Sequence, residues 1–212
     1  MNASVITPCD LTALTNEVIG ADGLLKIKPY SFYKGVNENE LKFFLHQNAI
    51  YVLPTTELID WLKENIIGTA IEIGAGHGAI GRALNIPTTD SRMQERPEIK
   101  FIYESSGQPV IKYNNDIEKL DAIQALDKHK PDTVIGAFIT HKYDERIGNG
   151  NAFGVQEELI LQRTKRYINI CNKVTHKDKP ILKVKHKEYK FDWLITRAVN
   201  QNENAIIMFD EL

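Results

Sequence analysis

Residues 69–84 restrict the fold more than any other stretch of the chain. An apolar run, Thr69-Ala70-Ile71-Glu72-Ile73, breaks into Gly74-Ala75-Gly76-His77-Gly78 and then into the helical stretch 79–84. A short apolar run rich in β-branched residues predicts a buried strand, and a glycine cluster ends it in a tight turn. Strand, turn and helix in that order open a βαβ unit, whose next strand lies parallel to the first.

The alternation continues downstream. Strands are expected at 86–89, 110–113, 133–139 and 167–171, and helices at 117–128 and 156–163. The segments 192–199 and 205–209 read as strands joined only by Asn200-Gln201-Asn202-Glu203-Asn204, a link short enough to make an antiparallel hairpin. Upstream, helices are expected at 11–19 and 40–49, and a third begins near Glu57. Thr55 or Thr56 can cap that third helix, and Pro54 suits its first turn. Residues 1–39 are otherwise turn-rich, which predicts an accessory or cap segment over 1–45 and an α/β domain over 46–212. The expected fold class is α/β: a three-layer sandwich around a mostly parallel sheet closed by an antiparallel C-terminal hairpin.

With 42% hydrophobic and 25% charged residues in 212, the chain can bury one substantial core. Cys9 and Cys171 lie far apart and form no CxxC pair, so neither a disulfide framework nor a zinc site is expected. That favours the cytoplasm. No apolar run is long enough to cross a bilayer, and the first residues carry no basic-then-apolar signal, so no membrane partner is expected. A formal net charge of -2 offers no global attraction to nucleic acid. Locally, Lys183, Lys185 and Lys187 alternate and would share one face if extended. An anionic or nucleic-acid partner could use such a stripe; the alternative is a solvated edge that discourages sheet pairing.

The chemistry centres on the glycine turn. Gly76 to Gly81 satisfy GxGxxG, a frame in which the backbone comes close to a nucleotide. Glu72 narrows the choice of nucleotide, because a carboxylate about 5 Å from a pyrophosphate is repelled by roughly 3 kcal/mol at an effective dielectric near 20. A ligand with cationic groups would be drawn there instead. Glu72 can equally be a structural carboxylate accepting hydrogen bonds from amides of the turn. Asp90, after the second strand, can accept both ribose hydroxyls of an adenosine or act as a cap. Asp116 or the Ile117 amide could meet an adenine amino group, although Asp116 can also be the N-cap of the helix at 117–128.

Glu72-Ile73-Gly74-Ala75-Gly76-His77-Gly78 resembles the first motif of the class I S-adenosylmethionine-dependent methyltransferases. The resemblance covers roughly residues 50–212. It takes in Asp90, Asn115-Asp116-Ile117, the fourth strand and the closing hairpin, since that family places an antiparallel strand beside parallel ones at the end of its sheet. It implies a Rossmann-like fold and methyl transfer from S-adenosyl-L-methionine. Glu72, Gly74, Ala75, Gly76, His77, Gly78, Asp90, Asp116 and Ile117 would then hold the cofactor. Tyr51 and Thr55 lie where family members close over it.

Two features depart from the family pattern. The helix after the turn is short, so Asp90 follows Glu72 early. Ala137-Phe138-Ile139-Thr140 also stands where base-amine methyltransferases carry Asn-Pro-Pro-Tyr or Asp-Pro-Pro-Tyr. The methyl acceptor is therefore unknown.

Displacement from a sulfonium needs alignment and at most one proton removal. Of His141, Tyr143 and Asp144 on the loop after the fourth strand, His141 is the candidate catalytic base, or else a surface histidine. His77 is expected to pack beside the cofactor. Two rival functions remain: a methyltransferase-like partner protein without turnover, and an NAD-dependent oxidoreductase.

Overall fold

The computed structural model describes residues 6–145 and 148–210. Its seven strands are β1 (Ala70–Ile73), β2 (Thr88–Asp90), β3 (Glu118–Lys119), β4 (Thr133–Ala137), β5 (Arg166–Asn172), β6 (Lys187–Tyr189) and β7 (Asn204–Asp210). They form one sheet in the order β3-β2-β1-β4-β5-β7-β6. The pairs from β3 through β5 are parallel, whereas β7 runs antiparallel to both β5 and β6. The expected fold class is present, including an antiparallel ending.

The helices are α1 (Thr12–Val18), α2 (Tyr30–Lys34), α3 (Glu38–Gln47), α4 (Thr56–Asn65), α5 (Ala79–Leu84), α6 (Pro97–Ser105), α7 (Ala122–His129) and α8 (Glu157–Leu161). Strand periodicity divides the core into two sheet faces. Ala205, Ile207 and Phe209 of β7 join α7 and α8 on one face, while Ile206 and Met208 join α4 and Ile80 of α5 on the other. The helices α1 to α3 pack with Ile50, Leu53 and Ile195 in a third cluster. Among the described residues, no helix is long and apolar enough to cross a membrane.

Several expected elements are displaced. No strand forms at 110–113; the third strand is β3, a two-residue element inside the segment expected to be helical from 117. The helix α7 starts later because Asp121 caps it. The Asp121 carboxylate accepts the Ile123 and Gln124 amides at 2.9 Å, and the Gln124 side chain returns a bond to the Asp121 amide. The strand expected at 192–199 is a loop instead. Leu194 and Ile195 are buried there in two different clusters, and the Ile195 carbonyl accepts the Leu53 amide. The partner of β7 is β6, which lies further upstream. Thr55 caps α4 through Leu58, so Pro54 precedes the cap rather than occupying the first turn. Lys183 ends a 3-10 turn and Lys187 begins β6, so the three lysines do not form one extended face.

Candidate functional site

The glycine turn leaves β1 at the carboxyl edge of the sheet, where open α/β sheets bind ligands. Gly76 sits at φ +58°, in the left-handed region that glycine adopts without strain. Gly81 is required for a different reason. A Cβ there would lie 2.1 Å from Thr88 Cγ2 and 2.8 Å from Glu72 Oε2, so only glycine lets α5 approach the sheet this closely.

Two buried carboxylates organise the turn. Glu72 is 1% exposed, and its Oε2 accepts the Gly81 amide at 2.7 Å. Burial pushes its pKa up to about 8, opposed by that hydrogen bond, and the Asp90 charge pushes it further the same way. Asp90 ends β2 and clasps the turn, its Oδ2 accepting the Gly76 amide at 2.9 Å and its Oδ1 the Arg92 amide at 2.7 Å. Burial raises its pKa as well, against the pull of those two bonds. His77 is held near a pKa of about 4, first by burial and then by the Arg82 charge, so its imidazole is neutral at physiological pH. Its Nδ1 is buried without a partner.

These residues border a cleft. Of the expected site residues, Tyr51, Glu72, Gly74, Ala75, Gly76, His77 and Asp90 all line it. So do residues the sequence does not single out, among them Tyr103, Tyr113, Phe138 and Phe153. No lysine or arginine is among the described residues that line it.

Five expected site residues lie elsewhere. Thr55 is fully buried as the cap of α4. Gly78 turns its open side to Ile117, whose Cγ1 would lie 3.1 Å from an added Cβ. Ile117 is 2% exposed and its amide already donates to the Asn114 carbonyl, which removes it as an adenine contact. Asp116 caps no described helix and is not among the described residues lining the cleft; it binds the Arg82 guanidinium through both oxygens, at 2.9 and 3.1 Å. His141 faces a neighbouring groove with Lys142, Tyr143 and Asp144.

The chain path explains where His141 goes. Phe138 adopts φ +54°, an uncommon left-handed turn for a bulky residue. Beyond it the loop doubles back through bridges between His141 and Val155 and between Lys142 and Asn151. The returning limb, Asn151 with Phe153 to Val155, therefore lines the cleft in place of His141.

No family model matches the chain, and no curated protein matches it. Among solved structures, it is similar to an rRNA methylase from Streptococcus thermophilus, at 13% identity over 73% of this chain and 94% of that one, with a TM-score of 0.39. It is also similar to a precorrin-6y C5,15-methyltransferase from Geobacter metallireducens, at 11% identity over 73% and 86%, with a TM-score of 0.36. A third match is the PH0226 protein from Pyrococcus horikoshii, at 10% identity over 86% and 99%, with a TM-score of 0.38. The architecture is the Rossmann-like α/β fold that the sequence resemblance implies. Its mark is β7, the late antiparallel strand inserted between β5 and β6. The matches are distant, and the reading of the site stands on its own geometry.

Proposed function

We propose that this chain is an S-adenosylmethionine-dependent methyltransferase. One observation carries the reading: the cleft at the glycine turn holds two buried carboxylates and no lysine or arginine among its described lining residues. A pyrophosphate there would find no lysine or arginine in the lining itself and would oppose ionisation of Glu72 and Asp90, whose pKa values burial already raises. A ligand with an ammonium and a sulfonium would meet the complementary charge.

Asp90 fits the nucleoside part. A carboxylate has about four lone-pair positions, and two are taken by the Gly76 and Arg92 amides. The Tyr113 hydroxyl also hydrogen-bonds Asp90, which leaves one position for a ribose hydroxyl. Glu72 suits the cationic part, since an approaching positive charge favours its ionised form and lowers its raised pKa. Affinity for the cofactor should therefore rise with pH up to about 8. The bound cofactor supplies a methyl group on a good leaving group. The chain's own residues align the acceptor along Phe138, Ile139 and Thr140 and exclude water with Tyr51, Tyr103 and Phe153. Both cysteines are free, which supports a reducing, cytoplasmic location.

Calorimetric titration with S-adenosylmethionine, S-adenosylhomocysteine and NAD tests the proposal. The first two should bind and NAD should not; binding of NAD alone would overturn it. A second reading, cofactor binding without turnover, is favoured by the position of His141 outside the cleft. A screen of acceptors with a labelled methyl donor separates the two readings.

A further inference from the structure

Three aromatic rings that line the cleft each carry a guanidinium on one face. Arg197 lies 4.2 Å from the Tyr51 ring centre, Arg96 lies 4.7 Å from Phe153, and Arg92 lies 5.7 Å from Tyr113. Cations held over rings in this way occur about once per 70–80 residues, so three around one cleft form a local concentration.

The three differ in what else they bind. Arg92 has an ion pair with Glu95 and donates to the carbonyls of Asn114 and Ile117, which leaves its buried Nε alone without a partner among the described residues. It belongs to the cofactor side, where Tyr113 approaches Asp90. Arg96 has only Glu98, at 4.0 Å between two well-solvated side chains, a pair of little strength. Arg197 has no carboxylate within ion-pair distance among the described residues. Its Nη2 donates to the neutral Gln108 amide at 3.0 Å, and its buried Nη1 has no acceptor. A guanidinium in that state gains most from an anionic oxygen that displaces the amide, because charge-assisted bonds are the stronger ones. Each of these two under-used cations thus backs a ring that lines the cleft, Arg197 on Tyr51 and Arg96 on Phe153, and Arg96 itself lines an adjoining groove that shares Gly74, Met93 and Phe153 with the cleft.

We propose that the molecule presented for methylation is a nucleotide unit, with its planar ring against Tyr51, Phe138 and Phe153 and its phosphate at Arg96 and Arg197. The inference rests on the methyltransferase reading of the same cleft. Phe138 is the back wall of this slot; its ring lies 6.1 Å from that of Tyr51, and its left-handed backbone holds it there. Rings provide sequence-tolerant stacking and the arginines provide the backbone contact, the combination that single-stranded nucleic acid requires. The shared chemistry, a ring with a phosphate, comes either from a strand or from a free nucleotide.

The full chain, saturated with S-adenosylhomocysteine so that the nucleoside site is filled, is titrated with mixed-sequence RNA and DNA octamers, with AMP and CMP, and with the unphosphorylated nucleosides. Phosphorylated ligands should bind and nucleosides should not. Tighter binding of octamers identifies a strand, and equal binding of mononucleotides identifies a free nucleotide. Arg197→Gln and Arg96→Gln should each weaken binding about 10-fold, the loss of one charge-assisted contact. For a strand, each should also lower the salt slope by about 0.7. The parallel variant Lys183→Ser with Lys185→Ser and Lys187→Ser tests the lysines near β6 as the anion site. Binding that falls with the lysines but not with the arginines overturns the proposal, as does the absence of phosphorylated-ligand binding at low salt. If S-adenosylhomocysteine itself fails to bind, the methyltransferase reading is what fails, and the octamer titrations without it still decide the anion site.

Discussion

Two carboxylates, Glu72 and Glu157, are each only 1% exposed, yet the chain treats them in opposite ways. Glu157, in the first turn of α8, has one oxygen that accepts from Lys179 Nζ at 2.7 Å, from the Tyr167 hydroxyl at 2.8 Å and from the Asn169 amide at 3.3 Å. Lys179 is itself buried and also donates to the Ile139 carbonyl. Glu72 receives one backbone amide and has no ion-pair partner among the described residues. A buried carboxylate must be paired or give up its charge. The protein itself pairs Glu157, whereas Glu72 keeps its proton to about pH 8 and can lose it to solvent when a cationic ligand binds. Glu157 has its charge paired within the protein, although its second oxygen, Oε2, is buried without a partner among the described residues, and it serves stability. Glu72 is complete only with something bound, as expected where function sits.

The largest test removes the internal partner. Lys179→Met should cost about 3–5 kcal/mol in urea unfolding, because it strands Glu157 as a buried charge. Pairing it with Glu157→Leu should recover most of that loss, since an apolar replacement of a buried ion pair is often neutral. A cost below about 1 kcal/mol for the single variant would mean that Glu157 needs no partner, and the contrast with Glu72 would collapse.

The next test concerns Glu72 and pH. Its folded pKa of about 8 lies above its ordinary 4.5, so the folded protein holds that proton more tightly than the unfolded chain does. The stability this confers is fully present below about pH 4.5 and is lost as the pH rises toward 8. Glu72→Gln should remove a decline on the order of a few kcal/mol across that window. Unfolding of both proteins at pH 5 and pH 8, without ligand, measures the difference. Parallel pH profiles would show that Glu72 is ionised throughout. A smaller effect is expected at Gly81, where alanine would press on Thr88 and Glu72 and cost about 1–3 kcal/mol. The thermal midpoint reads that cost, and an unchanged value would show that α5 can move away from the sheet.

The legible part of the molecule was the part governed by local rules. The strand, glycine turn and helix of 69–84 form as their pattern predicts, and Glu72, Gly76 and Asp90 meet at one cleft. What failed depended on distant contacts. Segment 110–113 is apolar because Ile111 and Tyr113 line the cleft, not because it pairs in the sheet. The apolar residues that make 192–199 read as a strand include Leu194 and Ile195, which fill separate clusters instead. Asp116 has a capping residue's position but is claimed by Arg82, a partner 34 residues away. The left-handed turn at Phe138, which carries His141 out of the cleft, has no signature in the sequence because only glycine advertises that conformation. Lys179 sits in a lysine-rich stretch that reads as solvated, and only its meeting with Glu157 explains its burial.

Asp90 stands between the two kinds of carboxylate and gives the finest test. It is a clasp within the protein, since the Gly76 and Arg92 amides occupy one lone pair on each oxygen and the Tyr113 hydroxyl a third, and it lines the cleft with one position left. Asp90→Ala should therefore register in both measurements. Loss of the clasp should lower the ligand-free stability by about 1 kcal/mol, because water in the cleft can reach the freed amides. Loss of the ribose hydroxyl contact should weaken S-adenosylhomocysteine binding about 10-fold, corresponding to roughly 1.4 kcal/mol, with solvent replacing part of what is lost. Calorimetry on folded protein and thermal unfolding of the same sample report the two quantities separately. If stability falls while affinity is kept, Asp90 is a clasp alone and joins Glu157 among the carboxylates whose partners come from within the protein. Glu72 would then be the single acidic group of the turn left for a ligand, and the nucleoside would have to be held by the backbone of Gly74 to His77.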